Sequence, residues 1–423
     1  MKVLWLCNVI TSAISKKLGR EAGVGGGWLE QVADMLDRRE GVDLYVCAPF
    51  AEGEKLTRVE WGTGSIFYGF QKQDYRPWKY DVSLENVFSS ILEEIDPDIV
   101  HIFGTEFPHT LAMVKAFDNP ARTVIHIQGL VSVYADYYTA YLPDNVIQRN
   151  SVRDFLRHDN IFNQCKKFRT RGKYEIEAIE SVGHVMGRTD WDQAHCLHIN
   201  PNIEYHYVQE VMRSDFYTEK WEYAKCRKHS IFMSQAYYPI KGLHLMLKAL
   251  QQIVGKYPDT SLYIAGPDVI RIDDFQSYIR MSYYQKYIIH EIKRMHLENH
   301  VMFVGKCDAA KMKEQYLKCN VFVSPSTIEN SPNSVGEALL LGVPVVASDV
   351  GGVSSLYAHN KEGYIYRGDD IEMLSYYIIK VFESECAEMS SAAYNRAHVQ
   401  YDPDIVLGQV MVEYEKIIGE DYF

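Results

Sequence analysis

Short apolar runs alternate with longer amphipathic stretches along almost the whole chain. In the first half, the runs typical of buried strands are Val3–Cys7, Leu44–Ala48, Ile99–Phe103, Thr123–Gln128 and His184–Arg188. Helical periodicity lies between them, as in Trp28–Arg38 and Leu84–Glu94. Because alternating strands and helices favour parallel sheets covered by helices, this half is predicted to be a doubly wound α/β domain.

A second series of the same kind begins near residue 230. Its predicted strands are Ser230–Ser234, Ser261–Ala265, Val301–Gly305, Val321–Ser324, Pro344–Ser348 and Gly363–Tyr366. Its predicted helices include Leu243–Val254, Ala309–Cys319 and Val335–Leu341. The two series together predict two Rossmann-like domains, joined by a link around residues 203–228.

The chain closes with a predicted helix over Asp402–Ile418, with Asp402 as N-cap and Pro403 in the first turn. We expect this helix to pack back on the first domain. The expected domains are therefore residues 1–205 with about 402–423, and residues 206–401. Ligands of such sheets bind beyond the carboxyl ends of the strands. Two domains facing across a cleft would therefore hold the ligand site in that cleft.

Composition narrows the possible partners. The formal net charge of −12 argues against nucleic acid, because binding its phosphates needs a basic surface. The eight cysteines form no C-x-x-C pair and no zinc spacing, which is typical of a reducing cytosol. The first apolar run is too short for a signal peptide, and no run of 18 apolar residues exists. A cytoplasmic protein is expected.

The most informative segment for chemistry runs from Ser324 to Ala338. A strand is expected to end at Ser324, and Ser331 and Pro332 suit the N-cap and first residue of a helix. The backbone N–H groups at such a helix start form an anion site. Glu329 and Glu337 lie eight positions apart, and carboxylates suit sugar hydroxyls. The alternative is that both acids only cap or solvate the surface.

A lysine follows the first strand of the second series, in the segment Tyr237–Gly242. At a strand–helix turn, the ammonium group of Lys241 can meet a diphosphate as a point charge. The alternative is a solvated loop lysine.

A glycine-rich segment, Gly23–Trp28, separates the first predicted strand from the first predicted helix. Glycines let the backbone approach a ligand closely. The spacing is not G-x-G-x-x-G, and no acidic residue follows the second strand, so a nicotinamide dinucleotide site is disfavoured. The alternative is a linker.

These segments together resemble family 4 of the retaining glycosyltransferases, of GT-B fold, also called glycosyl transferases group 1. Glu329 and Glu337 fit the family's E-x7-E motif, and Pro344–Gly352 fits the phrase that follows it. Pro97–His101 and Arg188–Asp192 are similar to two further family phrases. The resemblance covers nearly the whole chain and is strongest from Phe232 to Tyr366.

The resemblance implies transfer of a sugar from a nucleotide diphosphate to an acceptor hydroxyl, with retention and without a metal. The co-substrate would be a UDP- or GDP-linked sugar, and no other cofactor is expected. The acceptor would be a carbohydrate or lipid-linked molecule in bacterial surface polysaccharide or glycolipid synthesis. The first domain would face the acceptor, and the second would bind the donor. The alternatives are a GT-B epimerase or phosphorylase, and a non-catalytic GT-B subunit that activates a partner.

The resemblance also implies roles for individual residues. Glu337 would bind the ribose, Glu329 and the backbone of 330–333 the transferred sugar, and Lys241 the diphosphate. The glycines at 25–27 would close over phosphate and acceptor, and Gly305 with Lys306 would lie near the base. The predicted donor-binding residues are Gly25, Gly26, Gly27, Arg188, Lys241, Gly305, Lys306, Glu329, Asn330, Ser331, Pro332, Asn333, Ser334 and Glu337. The predicted catalytic residues are Lys241, Glu329 and His126.

Three positions depart from the family pattern. Ala236 stands where the family often has an arginine, a cation that Arg188 would replace. Gln128 stands where the family has a histidine, and His126 lies two residues earlier on the same face of the strand. Pro332 lacks an N–H group, which removes one possible sugar contact.

Two D-x-D pairs, at 96–98 and 402–404, match the pattern of metal-dependent transferases. The first is expected to be a turn that enters a strand, and the second to cap a helix. No metal site is therefore predicted.

A basic stretch between Arg149 and Lys173 stands out in so acidic a chain. Its cations are Arg149, Arg153, Arg157, Lys166, Lys167, Arg169, Arg171 and Lys173. The stretch predicts contact with an anionic membrane surface or a lipid diphosphate. The alternative is a solvated helix face.

Overall fold

The computed structural model describes residues 1–20, 26–50, 56–71 and 76–419. The chain divides into two compact units. The first comprises residues 1–133, 168–213 and 400–423, and the second comprises 134–167 and 214–399.

The first unit is built on an eight-stranded sheet. Its strands are β1 (Lys2–Leu6), β2 (Asp43–Phe50), β3 (Leu56–Trp61), β4 (Ser65–Gln71), β5 (Ile99–Phe103), β6 (Thr123–His126), β7 (His184–Gly187) and β8 (Glu204–Tyr207). They lie in the order β3-β4-β2-β1-β5-β6-β7-β8, and only the β3–β4 pair is antiparallel. The five predicted strands are confirmed. The sequence reading missed β3, β4 and β8, the last of which occupies the start of the predicted link.

The second unit is built on a six-stranded parallel sheet. Its strands are β9 (Ser230–Met233), β10 (Ser261–Ile264), β11 (Val301–Phe303), β12 (Val321–Ser324), β13 (Val345–Asp349) and β14 (Tyr364–Arg367). They lie in the order β11-β10-β9-β12-β13-β14. This is the Rossmann order: successive strands are added on one side of the first strand and then, from the fourth strand on, on its other side. All six predicted strands are confirmed, with ends shifted by at most two residues.

Helices connect the strands. The helices that precede β9 are α1 (Ser12–Lys17), α2 (Gly27–Asp37), α3 (Ser83–Ile95), α4 (His109–Phe117), α5 (Val131–Tyr137), α6 (Asp144–Ile147), α7 (Val152–Arg157), α8 (Ile161–Glu180) and α9 (Asp190–Ile199), of which α6 and α7 lie in the second unit. The later ones are α10 (Leu243–Lys256), α11 (Phe275–Arg280), α12 (Tyr283–Arg294), α13 (Ala309–Lys318), α14 (Asn333–Leu340), α15 (Ile371–Phe382), α16 (Ala387–Gln400) and α17 (Pro403–Gly419). Within the described ranges, none is both long and apolar enough to cross a membrane.

Burial explains why these strands pair in parallel. All five residues of β5 are buried, as are all four of β6, β7, β9 and β12. Strands buried on both faces are typical of parallel sheets covered by helices, and they read as continuous apolar runs. The edge strand β3 instead alternates exposed and half-buried positions, which is why its sequence carries a weaker signal.

The final helix belongs to the first unit. Asp402 Oδ1 accepts hydrogen bonds from the N–H groups of Asp404 and Ile405, both at 3.0 Å, so Asp402 caps α17 as expected. Trp5 on β1 donates from Nε1 to the hydroxyl of Tyr414 at 2.9 Å.

Compactness groups residues 134–167 with the second unit, whereas the sequence places them in the first domain. Two hydrogen bonds are examples of the contacts that tie this segment to the second unit. His244 Nε2 on α10 lies 2.6 Å from the carbonyl oxygen of Ala140, and the Tyr283 N–H donates to Asp154 Oδ2 at 2.6 Å. The other boundaries, 213/214 and 399/400, lie within nine residues of those expected.

Candidate functional site

The predicted donor residues of the second unit lie on loops at one edge of its sheet. Lys241 ends the 3-10 turn Pro239–Lys241, which follows β9 and precedes α10. The segment 325–332 follows β12 and leads into α14. Since β9 and β12 are the neighbours at which strand order reverses, both loops leave the carboxyl ends that flank the ligand crevice of a Rossmann sheet.

Backbone contacts lock these two loops together. The Thr327 N–H donates to the Ile240 carbonyl at 2.8 Å. Gly242 has a φ of +72°, and a β-carbon placed there would stand 1.8 Å from the Pro325 carbonyl oxygen. Only glycine fits this position, because any side chain would collide with backbone and strain the left-handed conformation.

A third loop, which follows β13, clamps the same segment. Gly351 has a φ of +55°, and a β-carbon there would stand 1.8 Å from the Glu329 carbonyl oxygen. The Gly352 N–H donates to that oxygen at 3.1 Å, and Ser348 Oγ donates to the Ser326 carbonyl at 2.5 Å. The family phrase ending in Gly351 and Gly352 therefore fixes the backbone of Glu329.

Lys241 and Glu329 form an ion pair within this frame. Lys241 Nζ lies 2.5 Å from Glu329 Oε1, and Ser326 Oγ donates to the same oxygen at 2.8 Å. The Glu329 residue is 8% exposed, so the pair lies largely out of water. The structure thus brings together the two residues predicted for diphosphate and sugar.

The start of α14 offers groups for an anion. Pro332 is the N-cap and Asn333 the first helical residue, one position later than the sequence predicts. No side chain of the described residues caps this helix. The Val335 and Gly336 N–H groups both point back to the Pro332 carbonyl. The N–H groups of Asn333 and Ser334 lie at the positive end of the helix dipole, where anions bind.

An unsatisfied acceptor lies at the same helix start. Asn333 Oδ1 is buried and has no hydrogen-bond partner among the residues that the structure describes. A buried polar atom without a partner is rare in folded proteins and calls for an explanation such as a missing ligand. Glu337, 5% exposed, follows one helical turn later on the same face.

The loops after β10 and β11 hold the next predicted residues. The Gly266 N–H donates to the Gly305 carbonyl at 2.8 Å, and Gly305 has a φ of +78°. Lys306 follows with an exposed side chain. Both residues lie at the same carboxyl edge as Lys241 and Glu329.

The first unit places Arg188 in a buried polar network at the end of β7. Its guanidinium pairs with Glu210 and donates to Gln128 Oε1 at 3.4 Å. Gln128 Nε2 donates to Glu210 Oε1 at 2.5 Å. Glu210 is 3% exposed and was missed by the sequence reading, although a carboxylate between Val208 and Val211 is a usable signal.

His126 ends β6 and is 2% exposed. Neither ring nitrogen has a hydrogen-bond partner within the described ranges. The ring stacks on His101 at a centroid distance of 5.5 Å. Burial, aided by the neighbouring His101 and Arg188, holds the pKa of His126 well below its usual value. The imidazole is therefore uncharged at neutral pH.

The glycine-rich segment has packing reasons for two of its residues. Gly26 is the N-cap of α2 with a φ of +88°, and a β-carbon there would lie 2.6 Å from Val9 Cγ2. A β-carbon on Gly27 would lie 2.8 Å from Arg213 Cδ. Gly25 falls outside the described residues.

Both D-x-D pairs have structural roles. Asp98 Oδ2 accepts the Lys2 N–H at 2.7 Å just before β5, and Asp402 caps α17. Among the described residues, one group of three possible metal ligands occurs, formed by His184, Glu204 and His206. His184 Nδ1 and His206 Nε2 lie 3.1 Å apart, and His206 Nδ1 lies 2.7 Å from Glu413 Oε2, which a chain of hydrogen bonds explains.

Residues 217–398 match the model of the family Glycosyl transferases group 1. Among curated proteins, the chain is similar to the phosphatidyl-myo-inositol mannosyltransferase of Mycobacterium tuberculosis strain H37Rv, with 27% identity over 203 residues. The match covers 47% of this chain and 49% of that protein, so the chain spans about half the length of these relatives. Spore coat protein SA of Bacillus subtilis is 26% identical over 127 residues, or 30% of this chain and 32% of that protein.

Solved structures resemble the chain over almost its whole length. Sucrose-phosphate synthase from Thermosynechococcus elongatus has a TM-score of 0.72 at 15% identity, covering 99% of this chain and 100% of that one. Anabaena Alr3699/HepE in complex with UDP and glucose has a TM-score of 0.66 at 17% identity, covering 98% and 100%. The chain therefore has the GT-B fold, and its residues 217–398 form a domain of the glycosyl transferases group 1, as the sequence resemblance predicts.

Proposed function

We propose that the protein is a glycosyltransferase that moves a sugar from a nucleotide diphosphate to an acceptor hydroxyl. The observation that carries the proposal is the Lys241–Glu329 pair, which lies beside the start of α14 at the switch point of the second sheet. That arrangement combines a cation, helix-end N–H groups and buried acceptors. A sugar diphosphate needs all three.

The charge that develops during transfer fits this arrangement. The bond between the anomeric carbon and the diphosphate oxygen breaks, so negative charge grows on the diphosphate and positive charge on the sugar. Lys241 and the N–H groups of Asn333 and Ser334 would stabilise the negative charge on the diphosphate. The Glu329 carboxylate would accept hydrogen bonds from sugar hydroxyls and stabilise the positive charge on the sugar. On donor binding, Lys241 Nζ would share its protons between Glu329 and the phosphate.

The nucleoside would extend past the helix start. Glu337 would accept hydrogen bonds from the two ribose hydroxyls, whose spacing suits a carboxylate. Asn333 Oδ1 gains a donor hydroxyl in the same event, which would remove the unsatisfied acceptor. Gly305 and Lys306 are proposed to border the base. The roles of His126, Arg188, Gly26 and Gly27 stay predictions.

The proposed co-substrate is a UDP- or GDP-linked sugar, used without a metal. The positive groups named above would take the part that a divalent ion has in other transferases. The similar Anabaena protein was solved with UDP and glucose, which makes UDP the first nucleotide to test. Retention at the anomeric carbon rests on the sequence resemblance alone.

The proposed acceptor is a carbohydrate or a lipid-linked molecule in bacterial surface polysaccharide or glycolipid synthesis. The name of the mycobacterial relatives, phosphatidyl-myo-inositol mannosyltransferase, favours a glycolipid. We propose a cytoplasmic protein that binds the inner face of the membrane. All eight cysteines are buried and unpaired, which fits a reducing compartment.

A direct test mixes the purified protein with nucleotide sugars, with and without an extracted lipid or polysaccharide acceptor, and measures released nucleoside diphosphate. Release that requires the acceptor supports transfer. Conversion of the nucleotide sugar without an acceptor would favour the epimerase alternative. Failure to bind any nucleotide would favour a non-catalytic subunit. That alternative is considered because Ala236 and Gln128 replace an arginine and a histidine of the family pattern.

A further inference from the structure

Two short helices of the second unit carry an unusual number of exposed apolar side chains. We call them the apolar ridge: Val152, Phe155 and Leu156 on α7, with Ile272, Phe275 and Tyr278 on or just before α11. Phe155, Leu156 and Phe275 are 68%, 72% and 76% exposed. The two helices pack against each other. Single exposed apolar residues are common, but a cluster of this kind marks an interaction site.

The ridge sits on a fixed base. Asp154, 1% exposed, accepts the Ser151 N–H within a capping box and the Tyr283 N–H at 2.6 Å. Asp154 points inward, and its neighbours Phe155 and Leu156 consequently face solvent. Asp274 caps α11 through the Ser277 N–H at 2.7 Å. The exposure of the ridge therefore follows from helices that are tied down.

Unneutralised cations flank the ridge. Arg157 ends α7 and Arg280 ends α11, and in the described part of the chain neither has an acidic partner. Arg149 donates to the Tyr283 hydroxyl at 3.0 Å and lies over that ring. These positive charges stand out in a chain with a net charge of −12.

Several other charges near the ridge are already paired. Arg153 bonds both Asp154 and Asp159, and Lys167 bonds Asp159. Arg271 pairs with Asp273. Arg157, Arg280 and Arg149 therefore provide the open charge around the apolar side chains.

We infer that the apolar ridge inserts into the headgroup region of an anionic lipid bilayer. Aromatic and aliphatic tips flanked by arginines are the composition of interfacial membrane helices. Arginine adds attraction to anionic headgroups, and this part is screened by salt. A dimer through the ridge is the competing occupant, and the oligomeric state of the ridge variant tests it.

The inference rests on the membrane contact in the proposed function and names the residues that make it. It differs from a purely electrostatic contact along 149–173 because apolar insertion persists at high salt. It also moves the contact from a single stretch of chain to a surface formed by α7 and α11.

The test is co-sedimentation with vesicles of phosphatidylcholine, with and without phosphatidylglycerol. The ridge variant is Phe155→Ser with Leu156→Ser and Phe275→Ser. The matched control changes three exposed apolar residues elsewhere, Val399→Ser with Ile405→Ser and Val412→Ser, which are 68%, 48% and 47% exposed. We expect the wild type and control to bind anionic vesicles and the ridge variant to bind about tenfold or more weakly.

Insertion is read out separately with a fluorescent label. Since all eight native cysteines are buried, Phe155→Cys offers one accessible thiol for an environment-sensitive dye. Its emission should shift to the blue on anionic vesicles and stay shifted in high salt. The same dye on Val412→Cys should not shift. Replacing Arg157 and Arg280 by Glu should abolish the preference for phosphatidylglycerol.

Three results would overturn the inference. The first is that the wild type fails to sediment with anionic vesicles, and the second is that the ridge variant sediments as much as the control does. The third result is that light scattering shows a dimer for the wild type and a monomer for the ridge variant. Titration of the same proteins with UDP separates this from the proposed function. If the protein binds vesicles through the ridge but binds no nucleotide, the proposed transferase function is contradicted and the membrane-binding inference is supported.

Discussion

Lys241 Nζ lies 2.5 Å from Glu329 Oε1, although 88 positions separate the two residues along the chain. Without ligand, the lysine expected to meet a diphosphate is neutralised by the carboxylate expected to hold the sugar. The two side chains lie in a mostly buried place and contact each other directly. Their contributions to stability and to activity can therefore be separated by mutation.

Lys241→Met should lower turnover by about 10²–10³, the usual effect of losing one group that stabilises transition-state charge. It should also destabilise the fold, because Glu329 then keeps a buried charge without its cation. The double variant Lys241→Met with Glu329→Gln should recover stability in urea unfolding but stay inactive. Lys306→Met, at an exposed lysine of the same sheet edge, is the control for stability. Near-normal turnover of Lys241→Met would remove this residue from the mechanism.

Gly242→Ala should destabilise the second unit by more than the roughly 1–3 kcal/mol that a left-handed backbone alone costs a non-glycine residue. The additional cause is the collision with the Pro325 carbonyl, at 1.8 Å from the added carbon. Gly408→Ala, inside α17 and with open space around it, should instead stabilise by about 0.5–1 kcal/mol. Urea unfolding of both variants checks this. If Gly242→Ala unfolds at the same urea concentration as the wild type, the loops after β9 and β12 are not held together by the contact between Gly242 and Pro325.

Buried histidines should make the protein sensitive to acid. Burial lowers the pKa of His101 and His109 to about 3 and that of His244 to about 4, and the pKa of His126 lies well below its usual value. The unfolded chain binds protons at these sites from about pH 6.5 downward, and the folded chain does not. The free energy of unfolding that these histidines contribute by staying uncharged is thus fully present above about pH 6.5, and it falls as the pH drops below that value.

The contribution of one histidine can be isolated. His126→Asn should reduce the slope of unfolding free energy between pH 6 and pH 5 by about 1.4 kcal/mol per pH unit at most, which corresponds to one proton. His290→Asn, at an exposed histidine, is the matched control. An unchanged slope in His126→Asn would mean that the imidazole is protonated in the folded protein.

Activity should survive EDTA. Glu329 and Glu337 are the carboxylates of the candidate site, and Glu329 is already bound to Lys241. Among the described residues, the one group of three possible metal ligands lies on β7 and β8 of the first unit. Turnover is measured before and after chelation, with Mg²⁺ and Mn²⁺ added back. Loss on chelation and recovery with either ion would contradict a metal-independent transfer.

Apolar periodicity was sufficient to predict both Rossmann-like sheets. The signal was strong because strands such as β5 and β12 are buried on both faces, which leaves an uninterrupted apolar run. It failed at β4, which lies inside the sheet and is mostly buried, and burial does not explain that miss. It also failed at β3, where exposed residues alternate on a sheet edge, and at β8, whose four residues include only one that is buried. Edge strands bury too little to be read from composition.

The site was predictable as residues but not as contacts. The motif segments placed Lys241, Glu329 and Glu337 near one sheet edge. The role of Gly242 depends on a carbonyl group 83 positions later, at Pro325, which no local pattern announces. The pairing of Arg188 with Glu210 likewise depends on tertiary packing. The apolar ridge was hidden for the same reason, since α7 and α11 are far apart in sequence.

The central claim is that a nucleoside diphosphate binds along α14, and calorimetric titration tests it most directly. UDP, GDP and their sugars are titrated into the wild type, Glu337→Gln and the control Glu388→Gln, whose residue is exposed. Losing one charge-assisted hydrogen bond to the ribose should cost about 1.5–3 kcal/mol, or roughly a ten- to hundredfold rise in Kd. The account predicts the same loss for the free diphosphate and for the nucleotide sugar, and no change in the control. A wild type that binds neither ligand, or a Glu337→Gln variant that binds both as tightly as the wild type, would contradict it.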